Sequence, residues 1–357
     1  MNNQEHLNLV AFRKANITQF EAEILKNIEK QTKKKFTLVD KLEKSIYYTY
    51  NPLELIIDDN KVIGINLINC KLTTIPEDLF KLKSIKYLGL SYNYIQELPE
   101  TIDRLDSLRE LLIGYNRLKT LPSSFKNLKS LEYLDLQHNL FVDIPYILVS
   151  LENLRVLKIS DIIILPEYID EFKSLRKITL FNSNFRKIPK AIGNLKYLEE
   201  LYISHCRLTD LPESIWDLRS LKYFELNDLR ISDISDSIEK LKNLIYLRLK
   251  NLSLKNLPSS IGNLSSLQVL DLRSNSLTSL PETFSNLNSL QVLNLSGNKF
   301  KTIPNQLLDL PSLKELHINK RLLRRNPDPI NRLKQKGVKI FLKTSDWLRF
   351  YGEFYNI

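Results

Sequence analysis

LQVLDLRSNSLTSLPETFSNLNS, residues 267–289, is the stretch on which the fold turns. Apolar residues stand at positions 1, 4 and 6 (Leu267, Leu270, Leu272), a strand pattern, and again at 11, 14, 18 and 21 (Leu277, Leu280, Phe284, Leu287), a spacing that turns the chain back on itself. The same register opens at Val62, Ile85, Leu108, Leu131, Leu154, Leu175, Leu198, Leu221, Leu244, Leu267 and Leu290, with a partial twelfth unit at Leu313. The interval is 23 residues throughout, except for 21 between Leu154 and Leu175. No unit can bury its apolar face alone, so the units must stack. Parallel strands at ~4.8 Å give twelve strands over roughly 55 Å and one continuous core.

Position 9 calls for a side chain that bonds the turn leaving each strand. It holds Cys70, Asn93, Asn116, Asn139, Ile162, Ser183, Cys206, Leu229, Leu252, Asn275 and Asn298. Position 15 is proline in ten units, and Ser235 takes the slot in the unit that lacks it. This pattern resembles the leucine-rich repeat signature over about 260 of the 357 residues. Its LPxxIxxL segment is most similar to the intracellular Ras-group proteins. The resemblance implies an α/β repeat solenoid: a horseshoe with a parallel concave β-sheet, an irregular or 3-10 convex side and terminal caps. It also implies a protein-binding scaffold, with a small GTPase or signalling complex as the partner class. The domains expected are an N-terminal cap (1–61), the solenoid (62–323) and a C-terminal cap and tail (324–357). Ile162, Leu229 and Leu252 cannot act as ladder donors, and a local change of curvature or twist is expected there.

A stacked sheet exposes its two ends, so both termini should be caps. Thr18 and Glu21 form a capping box opening a helix whose apolar face is Phe20, Ile24, Leu25 and Ile28. LELIIDDNKVIGINL reads as a hairpin turning at Asp58–Lys61. At the other end NPDPINRLKQKG offers proline at a helix start and Gly337 at its end, followed by the strand-like Val338 to Leu342. The tail KTSDWLRFYGEFYNI is expected to fold as a short helix burying Trp347, Phe350, Tyr351 and Phe354.

Composition excludes several classes. The eight glycines never fall within three residues of one another, so no glycine-rich phosphate loop exists and no nucleotide cofactor is expected. Two cysteines six repeats apart on the ladder make neither a disulfide framework nor a zinc knuckle. The N-terminus lacks a signal-peptide apolar run, and no window approaches the ~20 apolar residues of a membrane span. These features predict a soluble, cytoplasmic monomer. The four sequons, at Asn16, Asn251, Asn263 and Asn294, read as by-products of the repeat.

Chemistry finds little support. His138 and His205 lie three strands, roughly 14 Å, apart, too far to share a metal ion. No Ser/His/Asp or Cys/His pairing emerges from the registers, so the chain reads as non-enzymatic and free of metal or cofactor. At position 5, Asp135 neighbours Lys158, and Glu225, Arg248 and Asp271 alternate in sign, a ladder that keeps an exposed sheet soluble. Glu200 falls beside Lys177.

The concave positions 2, 3, 5, 7, 8 and 10 make up about a fifth of the chain, yet they hold eight of the sixteen tyrosines: Tyr87, Tyr92, Tyr94, Tyr115, Tyr133, Tyr202, Tyr223 and Tyr246. Arginines, among them Arg117 and Arg248, interleave with them. Tyrosine and arginine are the residues enriched at interface hot spots. These residues are therefore the candidate partner-binding set, centred on the second and third repeats. The formal charge is +11, and ten Lys/Arg against two carboxylates between Lys314 and Lys343 place much of it at the C-terminal cap. This basic pole is the alternative site, for an anionic membrane or nucleic acid. Nucleic acid is disfavoured because aromatic residues do not alternate there with the cations.

Overall fold

The computed structural model describes residues 9–13, 15–39, 53–325 and 327–342. The chain divides into two compact units, residues 1–162 and 163–357, and the division falls inside the short repeat.

The first unit opens with an antiparallel hairpin, β1 (Leu9–Phe12) and β2 (Ala15–Thr18), leading into α1 (Gln19–Thr32). Its sheet runs β3 (Thr37–Leu38), β4 (Glu54–Asp58), β5 (Lys61–Asn66), β6 (Tyr87–Gly89), β7 (Glu110–Leu112), β8 (Tyr133–Asp135) and β9 (Val156–Ser160). Neighbours are parallel except β4 against β5. In the turn of that hairpin Asp59 and Asn60 both have positive φ, 45° and 57°, the backbone that a tight two-residue hairpin needs.

Thr18 caps α1: the Glu21 amide donates to Thr18 Oγ1 at 3.2 Å, and the Thr18 hydroxyl donates to the Glu21 carboxylate at 3.0 Å. Glu21 does more, accepting the Val62 amide at 3.2 Å and so tying α1 to the first repeat strand. Glu21, Ile24, Leu25 and Ile28 are therefore the buried face. Phe20, expected on it, is exposed, because it stands roughly 100° around the helix from Glu21.

The second unit's sheet is wholly parallel: β10 (Lys177–Phe181), β11 (Glu200–Ser204), β12 (Tyr223–Asn227), β13 (Tyr246–Lys250), β14 (Val269–Asp271), β15 (Val292–Asn294), β16 (Glu315–His317) and β17 (Lys339–Phe341). Between β16 and β17 lie α2 (Lys320–Arg325) and α3 (Pro327–Gln335), which buries Ile330 and Leu333 and ends at Gly337 with φ 85°. β17 covers the last repeat edge as the sequence predicts. The proposed aromatic tail helix lies outside the described residues. No helix among the described residues is long and apolar enough to cross a membrane.

Each proline slot opens a short 3-10 turn; where Ser235 replaces proline, its hydroxyl caps the turn by accepting the Ser237 amide at 3.2 Å. Successive turns stack so closely that a Cβ on Gly193 or Gly262 would meet the backbone carbonyl of Ser214 or Thr283 in the next repeat.

The asparagine ladder explains strand length. Asn93 Nδ2 donates to the carbonyls of Leu67 and Leu90, both at 2.9 Å, while its Oδ1 accepts the amides of Cys70 and Leu72. These bonds draw the chain out of the sheet, and strands in the units holding Asn93, Asn116, Asn139, Asn275 and Asn298 are three residues long. Where position 9 is Ile162, Ser183, Cys206, Leu229 or Leu252, the strand continues to five residues. The degenerate units thus differ by strand length. Leu134 and Leu270, at position 4, are fully buried. Truncating either to Ala should cost ~2–5 kcal/mol in urea unfolding, as a buried deletion does.

Candidate functional site

Position 8 of every complete repeat sits in the left-handed backbone region, with φ from 47° to 75° across Asn69, Tyr92, Tyr115, His138, Asp161, Asn182, His205, Asp228, Asn251, Ser274 and Gly297. There the chain swings out of the ladder and turns the position-9 side chain inward. Asn, Asp, His and Gly suit that backbone; a bulky tyrosine does not. In the first unit the two tyrosine misfits are consecutive, and His138 follows them. The rings of Tyr92 and Tyr115 stack at 4.0 Å with planes 10° apart, and His138 follows at 4.2 Å.

The stack ends on a carboxylate. His138 Nδ1 lies 3.1 Å from Asp161 Oδ2, and the Ser160 hydroxyl donates to the same oxygen at 2.5 Å. Ser160 Oγ also accepts the His138 amide at 2.7 Å. A serine, a histidine and an aspartate therefore do meet, contrary to the reading from the registers. The geometry is not that of an activated nucleophile: the hydroxyl proton goes to the carboxylate and not to the imidazole, and Ser160 is 1% exposed.

Tyr92 and Tyr115 remain 53% and 42% exposed, and Tyr94 45%. The exposed Arg117 guanidinium lies 4.9 Å from the Tyr94 ring centre. Burial pushes the Tyr115 phenol up to about 12, the Tyr92 hydroxyl, Asp135 and Asp161 adding to the effect. Burial also raises the Asp135 carboxyl. Tyr92, Tyr94, Tyr115 and Arg117 thus make one accessible, uncharged-to-cationic aromatic shelf.

The remaining candidates are engaged within the fold. Tyr87 and Tyr133 are half-buried against Ile56, Ile63 and Leu112, a small apolar cluster on the strand face, and Lys158 lies over the Tyr133 ring. In the second unit Tyr202 is half-buried; its hydroxyl donates to Glu200 at 2.7 Å, and Glu200 pairs with Lys177. Tyr223 packs beside Tyr246, which with Val269 and Val292 forms a second apolar cluster. Tyr246 and Arg248 are corrections: at 2% and 5% exposure they are not available to a partner. Arg248 lies between Glu225 at 3.4 Å and Asp271 at 3.0 Å, in the register expected but buried and not on an open sheet. Arg273 adds a second cation to Asp271 at 3.0 Å. Long side chains in neighbouring columns cover one another, which simple alternation does not reveal.

Both cysteines are buried, and burial raises each thiol to about 11. Neither should react with Ellman's reagent in the native protein at pH 8, and both should react once the chain is unfolded in urea; rapid native reaction would place a thiol at the surface.

The family model for a leucine-rich repeat region matches residues 65–164, 148–245 and 229–335. No curated protein matches the chain. Among solved structures it is similar to a leucine-rich repeat protein of Leptospira interrogans, at 27% identity and a TM-score of 0.59, covering 76% of this chain and 81% of that one. It shares its fold with an internalin of Listeria monocytogenes, at 22% identity and a TM-score of 0.64 over 80% and 84% of the two chains. A TDR receptor matches at 27% identity and a TM-score of 0.61 over 74% of this chain, which spans about half that receptor's length. With the repeat register, the asparagine ladder and the matched residues all agreeing, the chain belongs to the leucine-rich repeat family.

Proposed function

We propose that this protein is a non-catalytic scaffold that binds a protein partner through the shelf formed by Tyr92, Tyr94, Tyr115 and Arg117. The observation that carries this reading is the pair of stacked, half-exposed tyrosines held in left-handed backbone, where the other repeats place Asn, Asp, His, Ser or Gly. Left-handed backbone costs roughly 1–2 kcal/mol per residue outside glycine, and ring stacking returns about 0.5–1.5 kcal/mol. Fold stability alone therefore does not account for these rings, and local strain of this kind collects at functional sites. Rigid tyrosines beside an arginine match the composition of interface hot spots. The resemblance of the LPxxIxxL segment to Ras-group proteins supports a cytoplasmic monomer whose partner is a small GTPase or a signalling complex.

Affinity capture from native lysate tests the reading. A protein retained by the wild type and by an Arg332→Gln/Lys334→Gln variant should be lost from Tyr92→Ala/Tyr115→Ala/Arg117→Ala. Identical captures by all three proteins would contradict it.

A further inference from the structure

The second unit carries a cleft of about 390 Å³ beside the last complete repeat, and every charged residue lining it is cationic. Lys299 and Lys301 enter from the segment leaving β15, and Arg321 and Arg325 from α2. The two arginines are four residues apart and so share one helix face. Leu295 and Leu322, both buried, and the half-buried Phe300 form the apolar part of the wall. Elsewhere in this unit Arg176, Lys177, Lys222, Lys240, Arg248 and Lys250 each pair with a carboxylate, whereas others, Arg207 and Arg230 among them, form no such pair among the described residues. None of the four cleft cations forms such a pair among the described residues.

Four converging cations repel one another, a cost that a bound anion removes. A single carboxylate would leave most of that charge unbalanced. A phosphate carries about −1.5 to −2 at neutral pH, and the planar guanidinium fork fits its oxygens two at a time. The recess is larger than one phosphate needs and has an apolar wall, so it fits an organic body bearing several phosphates. We propose that this cleft binds a compact organic polyphosphate, either free or as the headgroup of a lipid. The site is independent of the tyrosine shelf.

The test is calorimetric titration of the full chain with inositol trisphosphate, paired with co-sedimentation on phosphatidylcholine vesicles doped with a phosphatidylinositol bisphosphate. Arg321→Gln/Arg325→Gln and Lys299→Gln/Lys301→Gln should each weaken inositol trisphosphate binding about a hundredfold, at roughly tenfold per charged contact. Arg332→Gln/Lys334→Gln, the same change in net charge outside the cleft, should leave it within about threefold. Thermal unfolding of the two cleft variants should be at or above that of the wild type, since the replaced side chains are exposed and their loss relieves the repulsion, and the control variant should match the wild type. Vesicle binding lost with the same two variants identifies the headgroup as the source; titration without vesicle binding identifies the free compound. Absence of binding to either probe, or equal loss in the control variant, overturns the proposal.

Discussion

Replacing Asp271 with alanine is expected to lower the unfolding free energy by about 3–5 kcal/mol, the cost of breaking a buried ion pair from one side. Asp271 is fully buried; its Oδ2 lies 3.0 Å from both Arg248 Nε and Arg273 Nη2, and its Oδ1 accepts the Arg273 amide at 3.1 Å. Its removal takes the shared carboxylate from two guanidinium groups, leaving Arg248 with Glu225 at 3.4 Å, beside the apolar cluster of Tyr246, Val269 and Val292. The loss measures an uncompensated charge and not the net worth of the ladder. Glu225→Leu/Arg248→Met/Asp271→Leu/Arg273→Met, which removes all four charges together, should therefore cost far less than Asp271→Ala, and replacements of this kind are often neutral or stabilising. Urea unfolding of the two variants separates these accounts. A loss below about 1 kcal/mol in Asp271→Ala would mean the ladder behaves as an exposed one.

Tyr92→Asn/Tyr115→Asn should weaken partner binding a hundredfold or more while shifting unfolding by no more than about 1 kcal/mol. Asparagine tolerates the left-handed backbone at φ 59° and 56°, so the relief of strain offsets the lost stacking. Two hot-spot aromatics at about 2 kcal/mol each set the binding loss. The substitution is more discriminating than alanine, because it installs the residue type found in the same slot at Asn69, Asn182 and Asn251. Titration of the captured partner against both proteins, with unfolding in parallel, checks the pair of outcomes.

The repeat register was fully legible, because a 23-residue interval found ten times, with one of 21, leaves each apolar residue one place to go. Thr18 and Glu21 were legible as a cap, although the bond from Glu21 to Val62 was not, since it joins residues distant in sequence. Of the tyrosines, the repeat register places Tyr92 and Tyr246 alike on the concave side and cannot separate a shelf from a buried cluster. That separation depends on neighbouring columns: Val269 and Val292 shelter Tyr246, whereas Tyr92 lies beside other rings at the strand ends. A signal for the left-handed slot was present, in the Asn, Asp, Ser and Gly that fill most of position 8. Against it, Tyr92 and Tyr115 stand out. The meeting of His138 with Asp161 follows from that same column and not from strand alternation.

A photo-crosslinking benzoyl-phenylalanine placed at Tyr94 tests the shelf most directly, with the same group at Tyr197, an exposed tyrosine outside the strand-face columns, as control. The account predicts a single dominant protein adduct from the Tyr94 position, absent from the Tyr197 position and abolished by Tyr92→Asn/Tyr115→Asn. Equal adducts from both positions, or an adduct at Tyr94 that survives loss of the two rings, would contradict it.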